Sequence, residues 1–342
     1  MSMRSLVRAG GAFCLLFVSA AEAQTLRVGH VNTVSDAGIY IAERKGYFKE
    51  VGLAIALTPF TTAANMIAPL GAGQLDVGGG TVAAGLYNAA ARDIGIKIVA
   101  DKGSIRPGYN YSTLVIRKDL VESGRYKGLE DLKGLKIGVS ANGTGNAATL
   151  YSALKLVGLA WSDSESVQLG FPQQFAALQN KGIDGAILNE PLLSLGIHQG
   201  FIVKDARDEE IYPDHQNAVL LYGAPFTDRQ PEAAQKFMRA YLKGVRDYND
   251  ALKDGHIAGP NADEIIKILI DNTDVKDAAV YRQTSPSALD PDGKINVASL
   301  RKDLAFFKEQ KLVEKPDITA DSLLDMRFAE QAVKELGPYR PK

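Results

Sequence analysis

The chain has one cysteine, one tryptophan and four histidines in 342 residues. The cysteine, Cys14, lies in an apolar run near the start, so everything beyond it has no thiol. That excludes a disulfide, a cysteine nucleophile and a cysteine metal centre from the rest of the chain. His30, His198, His215 and His256 are scattered without metal-ligand spacing. Neither sign of charge dominates: 39 basic residues face 40 acidic ones. With no basic stripe and no interleaved aromatics, there is no electrostatic case for nucleic acid or an anionic membrane as partner. Past the first two dozen residues no apolar run reaches the roughly 20 residues needed to span a bilayer. There is no Gly-x-Ser-x-Gly elbow. The glycine-rich stretch Asn142-Gly143-Thr144-Gly145-Asn146 lacks the lysine of a phosphate loop.

The first residues have the layout of a secretion signal. Arg4 and Arg8 precede an apolar run from Ala12 to Ala20, and Ala21-Glu22-Ala23 puts small residues where a signal peptidase reads. The run is too short for a membrane anchor. Phe13 occupies the place of the small residue that precedes a lipidated cysteine. The expectation is a signal peptide over 1–23, cleavage before Gln24, and a periplasmic protein of 319 residues with 37 basic and 39 acidic side chains. The missing cysteines suit an oxidising compartment. No further membrane insertion is expected.

After the signal, strand and helix patterns alternate. Residues 26–31, 53–57, 75–78 and 96–100 read as strands, with helices over 37–50, 62–70 and 81–91 between them, which points to a parallel α/β sheet. A strand over 112–117 opens a second series, with strands at 136–140, 167–169 and 185–189 and helices at 147–157 and 175–180. A strand at 218–222 is placed to return to the first block. Beyond Pro231 the chain reads as helical, over 232–252, 263–270, 300–310 and 321–336. The inferred architecture is two α/β lobes with a cleft between them: lobe 1 from 24–113, lobe 2 from 114–218, and a return to lobe 1 with C-terminal helices over 219–342.

Several segments, in order, resemble one family. Gly38-Ile39-Tyr40-Ile41-Ala42-Glu43-Arg44-Lys45-Gly46-Tyr47-Phe48 continues to Leu53 and is similar to the first-helix signature of the nitrate/sulfonate/taurine class of periplasmic binding proteins. Ala72-Gly73-Gln74-Leu75-Asp76-Val77-Gly78, Leu129 to Val139, and Ala177 to Ala186 with Asn189-Glu190-Pro191 resemble its later landmarks. The resemblance implies a type II periplasmic-binding fold. It also implies a small-molecule ligand held between the lobes and the permease of an ABC importer as partner. No cofactor and no metal are expected, and the protein is expected to be a monomer. The resemblance leaves the ligand open, since members of the class take nitrate, sulfonates, taurine, aromatic acids and heterocycles.

Ligands of open α/β sheets sit beyond the carboxyl ends of the strands. That rule selects His30, Asn32 and Ser35 after the first strand, Thr61 and Thr62 after the second, and Gly80 and Thr81 after the third. In the second block it selects Asn142, Thr144, Gly145, Asn189 and Glu190. Thr62 and Thr144 each stand where a helix starts, and free N–H groups there favour an oxyanion. Both also read as ordinary N-caps. Tyr222, Phe171 and Tyr109 are candidate pocket walls with core packing as the alternative, and Glu190 is a ligand contact or a hinge support. Lys102 and Arg106 are expected at the surface. The functional expectation is a non-catalytic binding protein for a small organic solute, an anion such as a sulfonate or carboxylate before a neutral or zwitterionic heterocycle. The alternatives are an enzyme on the same fold, of dehydratase or cofactor-precursor synthase type, and a ligand-sensing module that docks a receptor.

Overall fold

The computed structural model describes residues 24–342; the expected signal peptide lies outside the described residues. The chain enters one sheet, crosses to a second, and comes back. Strands β1 (Gln24–His30), β2 (Leu53–Pro59), β3 (Val77–Thr81) and β4 (Ile96–Gly103) belong to the first sheet. Strands β5 (Ser112–Arg117), β6 (Lys136–Val139), β7 (Glu165–Gln168), β8 (Gly185–Asn189) and β9 (Ile202–Lys204) build the second, and β10 (Ala218–Gly223) returns to the first. The orders are β2-β1-β3-β10-β4 and β7-β6-β8-β5-β9.

The first four strands run parallel to one another as expected, but neither sheet is wholly parallel. β1 runs parallel to β2 and β3, but β10 lies antiparallel between β3 and β4. β5 likewise lies antiparallel between β8 and β9. Both exceptions adjoin a crossing between the lobes. A strand that enters a sheet from the cleft side must run against strands that end there.

The central strands β5, β8 and β10 are buried along their whole length because both faces are covered. Along β5, Leu114 and Ile116 enter one apolar core while Val115 enters another with Ala186 and Leu188. The helix Pro231–Asp250 begins with proline, whose fixed φ suits a first helical turn. It lays Phe237, Tyr241 and Val245 into the core of the first lobe. It also crosses the helix Ala37–Arg44 at two glycines: a Cβ on Gly244 would sit 2.2 Å from the Gly38 carbonyl oxygen. The C-terminal helices pack on the first lobe, and the helix Val297–Glu309 also reaches the second-lobe helix Gly145–Leu156.

Candidate functional site

The carboxyl ends of β1, β3, β6 and β8 converge where the lobes meet, and the lobes are in contact there. The Ala84 N–H donates to Gly143 O at 2.8 Å and the Gly145 N–H to Val82 O at 2.8 Å. The Val34 N–H donates to Glu190 O at 3.3 Å. Gly170, which opens the helix Phe171–Gln179, stands so close to Thr61 that a Cβ would lie 3.2 Å from the Thr61 carbonyl oxygen. These contacts join first-lobe loops to second-lobe loops, so the arrangement is a closed one.

On the first-lobe side, His30 is buried and its Nδ1 lies 2.7 Å from the Tyr40 hydroxyl. Burial holds its pKa below the ordinary 6.5, which keeps the ring neutral at pH 7. Asn32 stands in the left-handed region at φ 57° with its Oδ1 buried and unpartnered. Ser35 is buried, 2.8 Å from the Thr33 hydroxyl. Thr61 is exposed and accepts from the Asn65 amide, while Thr62 is half-buried. Gly80 takes φ 149° and faces Ala63, where a Cβ would be 2.7 Å from the alanine Cβ; the site tolerates only glycine. Thr81 pairs with Ala218 at the end of β3.

On the second-lobe side, Asn142 accepts from Ser166 Oγ at 3.0 Å. Thr144 caps the helix Gly145–Leu156: its hydroxyl accepts from the Ala147 N–H at 3.4 Å and donates to Ala141 O at 2.7 Å. Asn189 is buried with its Oδ1 unpartnered. Glu190 is fully buried, and its carboxylate accepts from Ser194 N, Ser194 Oγ and Ser285 N. Burial pushes its pKa up to about 7 against the pull of those donors and of the Lys204 ammonium.

The two helix starts do not form the paired oxyanion cradle in this closed arrangement. Residues 63–66 make only a 3₁₀ turn, the helix that follows is Ile67–Gly71, and Thr62 makes no side-chain cap. On the opposite side the Gly145 N–H is already taken by Val82. Tyr222 is not at the cleft at all. It lies in the first-lobe core against Phe226, Phe237 and Phe328, and its hydroxyl donates to Ala234 O at 2.9 Å. Alternation along β10 turns it away, so Leu220 and Tyr222 share one core while Val219 and Leu221 join the other. Phe171 is likewise a core residue, and Tyr109 is half-buried in the first crossing.

Residues that the carboxyl-end rule missed also carry buried polar atoms without partners among the described residues, among them Ser112 Oγ, Gln174 Oε1 and both side-chain atoms of Asn217. Ser112 faces Asn189 directly across the β5–β8 ladder. β5 and β10 run against their neighbours, so their starts, not their ends, face the cleft. A buried polar group left unpaired costs about 1–3 kcal/mol, so each of these atoms retains a hydrogen bond that a polar molecule held between the lobes could satisfy.

Charge is nearly absent from these walls. Lys102, expected at the surface, is fully buried with its Nζ 2.7 Å from Asp36 Oδ1, because the fold supplies a partner 66 residues away in sequence. Arg106 is half exposed and pairs with Asp290 at 3.4 Å. The open surface grooves lie elsewhere. One of about 630 Å³, lined by Ala68, Gly85, Ile94 and Glu314, sits on the outer face of the first lobe with the Arg92–Glu314 pair at its rim. Among the described residues no cluster has metal-ligand geometry, and no helix is long and apolar enough to cross a membrane.

Solved structures share this fold. A protein of Bordetella bronchiseptica RB50 is 24% identical with a TM-score of 0.72, the match covering 92% of this chain and 98% of that one. The alkanesulfonate-binding protein SsuA of Xanthomonas axonopodis pv. citri, solved with MOPS, is 18% identical with a TM-score of 0.68 over 89% of this chain and 99% of that one. The periplasmic nitrate-binding protein NrtA of Synechocystis PCC 6803 is 12% identical with a TM-score of 0.73 over 92% and 89%. No curated protein matches the chain. The two lobes, the mixed sheets and the two crossings are those of the type II periplasmic-binding fold. The pattern of the NMT1-like family matches residues 19–258, and the chain belongs to that family.

Proposed function

We propose that this chain is a periplasmic solute-binding protein that carries a small organic solute to the permease of an ABC importer. The observation that supports it most is the set of buried, unpartnered, uncharged polar groups where the lobes close: Ser112, Gln174, Asn189 and Asn217. Such a set binds and orients a polar molecule, and its one hydroxyl, Ser112, is hydrogen-bonded to no histidine or carboxylate that would activate it, so the reading is a binding protein before an enzyme. Asn32, Thr61, Thr62, Gly80, Thr81 and Asn142 complete the ring, with the neutral His30 ring at its edge. Ser35, Thr144, Gly145 and Glu190 support it from behind.

The solute is an organic anion such as a sulfonate or carboxylate, in keeping with the sulfonate- and nitrate-binding proteins that share the fold. Of the unpartnered groups, the Ser112 hydroxyl and the Asn217 Nδ2 can donate to its oxygens, while Asn189 Oδ1 and Gln174 Oε1 accept and suit a hydroxyl or N–H elsewhere on the solute. The closed Lys102–Asp36 pair favours one second reading, a neutral or zwitterionic heterocycle, because it withholds the nearest buried cation. We further propose that residues 1–23 are a cleaved signal, that lobe 1 comprises 24–113 and 219–342 and lobe 2 comprises 114–218, and that the mature protein is a monomer.

Thermal melting against sulfonates, carboxylates, nitrate, amino acids and heterocycles tests this. A solute at about 100 times its Kd adds roughly 2.7 kcal/mol. Stabilisation by an anion that Asn189→Ala or Ser112→Ala weakens supports the reading. Stabilisation by heterocycles alone moves it to the second form. A protein that no solute stabilises, and from which denaturation releases no small molecule, overturns it.

A further inference from the structure

Glu190 stands at the cleft end of β8, wholly enclosed, and the enclosure is made by both lobes. The end of β8, which it follows, and the helix Leu192–His198 supply the second-lobe wall, where Ser194 donates twice, at 2.9 Å from the N–H and 2.7 Å from the hydroxyl. The rest comes from the first lobe. The Val34 N–H donates to the Glu190 carbonyl oxygen at 3.3 Å, and the Ser285 N–H reaches Oε1 at 3.2 Å. The Ser285 segment is fixed to the first lobe through the paired Ser104–Ala288 bridge and the Asn249 amide on Leu289 O.

No cation touches this carboxylate. The Lys204 ammonium, on β9, is held by Ser285 Oγ at 3.3 Å and Asp208 at 3.6 Å. The Glu190 N–H donates to the carbonyl oxygen of Tyr111, the residue before β5, and the other titratable groups facing the carboxylate are the hydroxyls of Tyr248 on the long helix and Tyr281 on the helix Ala278–Gln283. Both are raised by burial, Tyr281 to about 12, and stay neutral through the physiological range. On the Val34 turn the charged groups are Asp36 and its partner Lys102. At the end of β1 stands His30, held below 6.5 by burial. A buried carboxylate with hydrogen bonds but no counter-ion favours the protonated form. The Val34 and Ser285 bonds are the ones that cross between the lobes, so a parting of the lobes at this point would break them and admit water to the group.

Resting on the two-lobed binding reading above, we infer that Glu190 is a proton-linked latch: closing the lobes takes up one proton at its carboxylate, so closure and solute capture strengthen as pH falls. The sign follows from where the charge is costly. The ionised form is better solvated in the open state, so protons are bound more tightly in the closed one, and lowering the pH draws the population toward closure. Between an ordinary carboxylate in the open state and a midpoint near 7 in the closed one, the closure constant rises about tenfold from pH 8.5 to pH 6.

The test uses the solute-free protein. Small-angle scattering of the wild type from pH 8.5 to 6 is expected to show compaction, while Glu190→Gln, which has no proton to gain, keeps one size throughout. His30 titrates in both proteins and cancels in the comparison. Profiles that coincide, flat or sloping, overturn the inference. A carboxyl-carbon NMR titration of the wild type gives a second measurement free of any folding defect in the variant. A Glu190 midpoint near 7 supports the latch, and one near 4.5 overturns it. Neither measurement adds a solute, so a failure here leaves the binding reading standing, and a failed solute panel leaves this result standing.

Discussion

The Lys102 ammonium lies 2.7 Å from the Asp36 carboxylate, and neither side chain has any surface exposed to solvent. Asp36 also accepts the N–H groups of Val31 at 3.2 Å and Thr33 at 3.1 Å, and Lys102 reaches Ser35 Oγ at 3.2 Å. The pair therefore fixes the turn that carries Asn32. It also accounts for a glycine: the Lys102 side chain crosses Gly79, where a Cβ would lie 2.4 Å from its Cδ.

Lys102→Met leaves a buried carboxylate without its counter-ion. The expected loss is about 3–5 kcal/mol, measured by urea unfolding. Adding Asp36→Asn removes the stranded charge and keeps an oxygen for the two N–H groups, so the double variant recovers part of that loss. A double variant no more stable than the single would show that the pair is not coupled.

Removing an unpartnered group separates folding from binding. Ser112→Ala deletes a buried hydroxyl that makes no hydrogen bond. The solute-free melting temperature is expected to hold or rise, because no bond is lost and an unpaired polar atom disappears. The stabilisation by a bound solute is expected to fall. A drop in solute-free stability of more than about 1 kcal/mol would mean that Ser112 has a structural partner.

Thr144 is the N-cap of the 12-residue helix beneath the cleft. Thr144→Ala is expected to cost about 1 kcal/mol, and Thr144→Ser much less, because the hydroxyl that accepts from Ala147 is kept. Equal losses in the two variants would assign the effect to the methyl group.

Gly244→Ala tests the helix crossing. Alanine improves helix propensity by about 1 kcal/mol. The added Cβ, however, would stand 2.2 Å from Gly38 O and 2.9 Å from the Ala42 nitrogen, both backbone atoms that cannot swing aside. Strain wins, and a net loss of about 1–3 kcal/mol is expected in denaturant unfolding. A more stable variant would show that the two helices slide apart freely.

Stability against pH follows from two buried acids. Asp101 is pushed up to about 6 and Glu190 to about 7, each chiefly by burial. An acid raised in the folded state contributes stability that is whole below its unfolded pKa and is lost as pH rises through the folded one. Asp119 and Asp247 are lowered, and their contribution is lost on the acid side instead. The melting temperature should therefore peak between about pH 4 and 6 and decline toward pH 7.5, with a loss on the order of 2–3 kcal/mol. A maximum at or above pH 8 would contradict it.

What was legible in the sequence was periodic. β5 and β8 fall on the expected residues, 112–117 and 185–189, because an apolar run bounded by turn residues is a local signal. The short helix Leu192–His198 and the strand β9 were not expected; each is brief and is held by contacts across the second lobe. The place of β10 was invisible for a different reason, since its neighbours β3 and β4 lie more than 110 residues upstream. The site divided along the same line. Strand ends pointed to His30, Asn142 and Asn189, but the burial of Lys102 needed Asp36 beside it, and the face on which Tyr222 points depended on which side of β10 became core.

The placement of β10 also sets an order of assembly. β4 joins the first sheet through β10, so that sheet stays at three of its five strands until residues 218–223 have been made. All five strands of the second sheet, residues 112–204, are synthesised before then. The part of the molecule that appears first is thus among the last to be finished. Pairing across so long a stretch of chain is slow, and a nascent chain that stops short of β10 holds its first lobe open and unfinished.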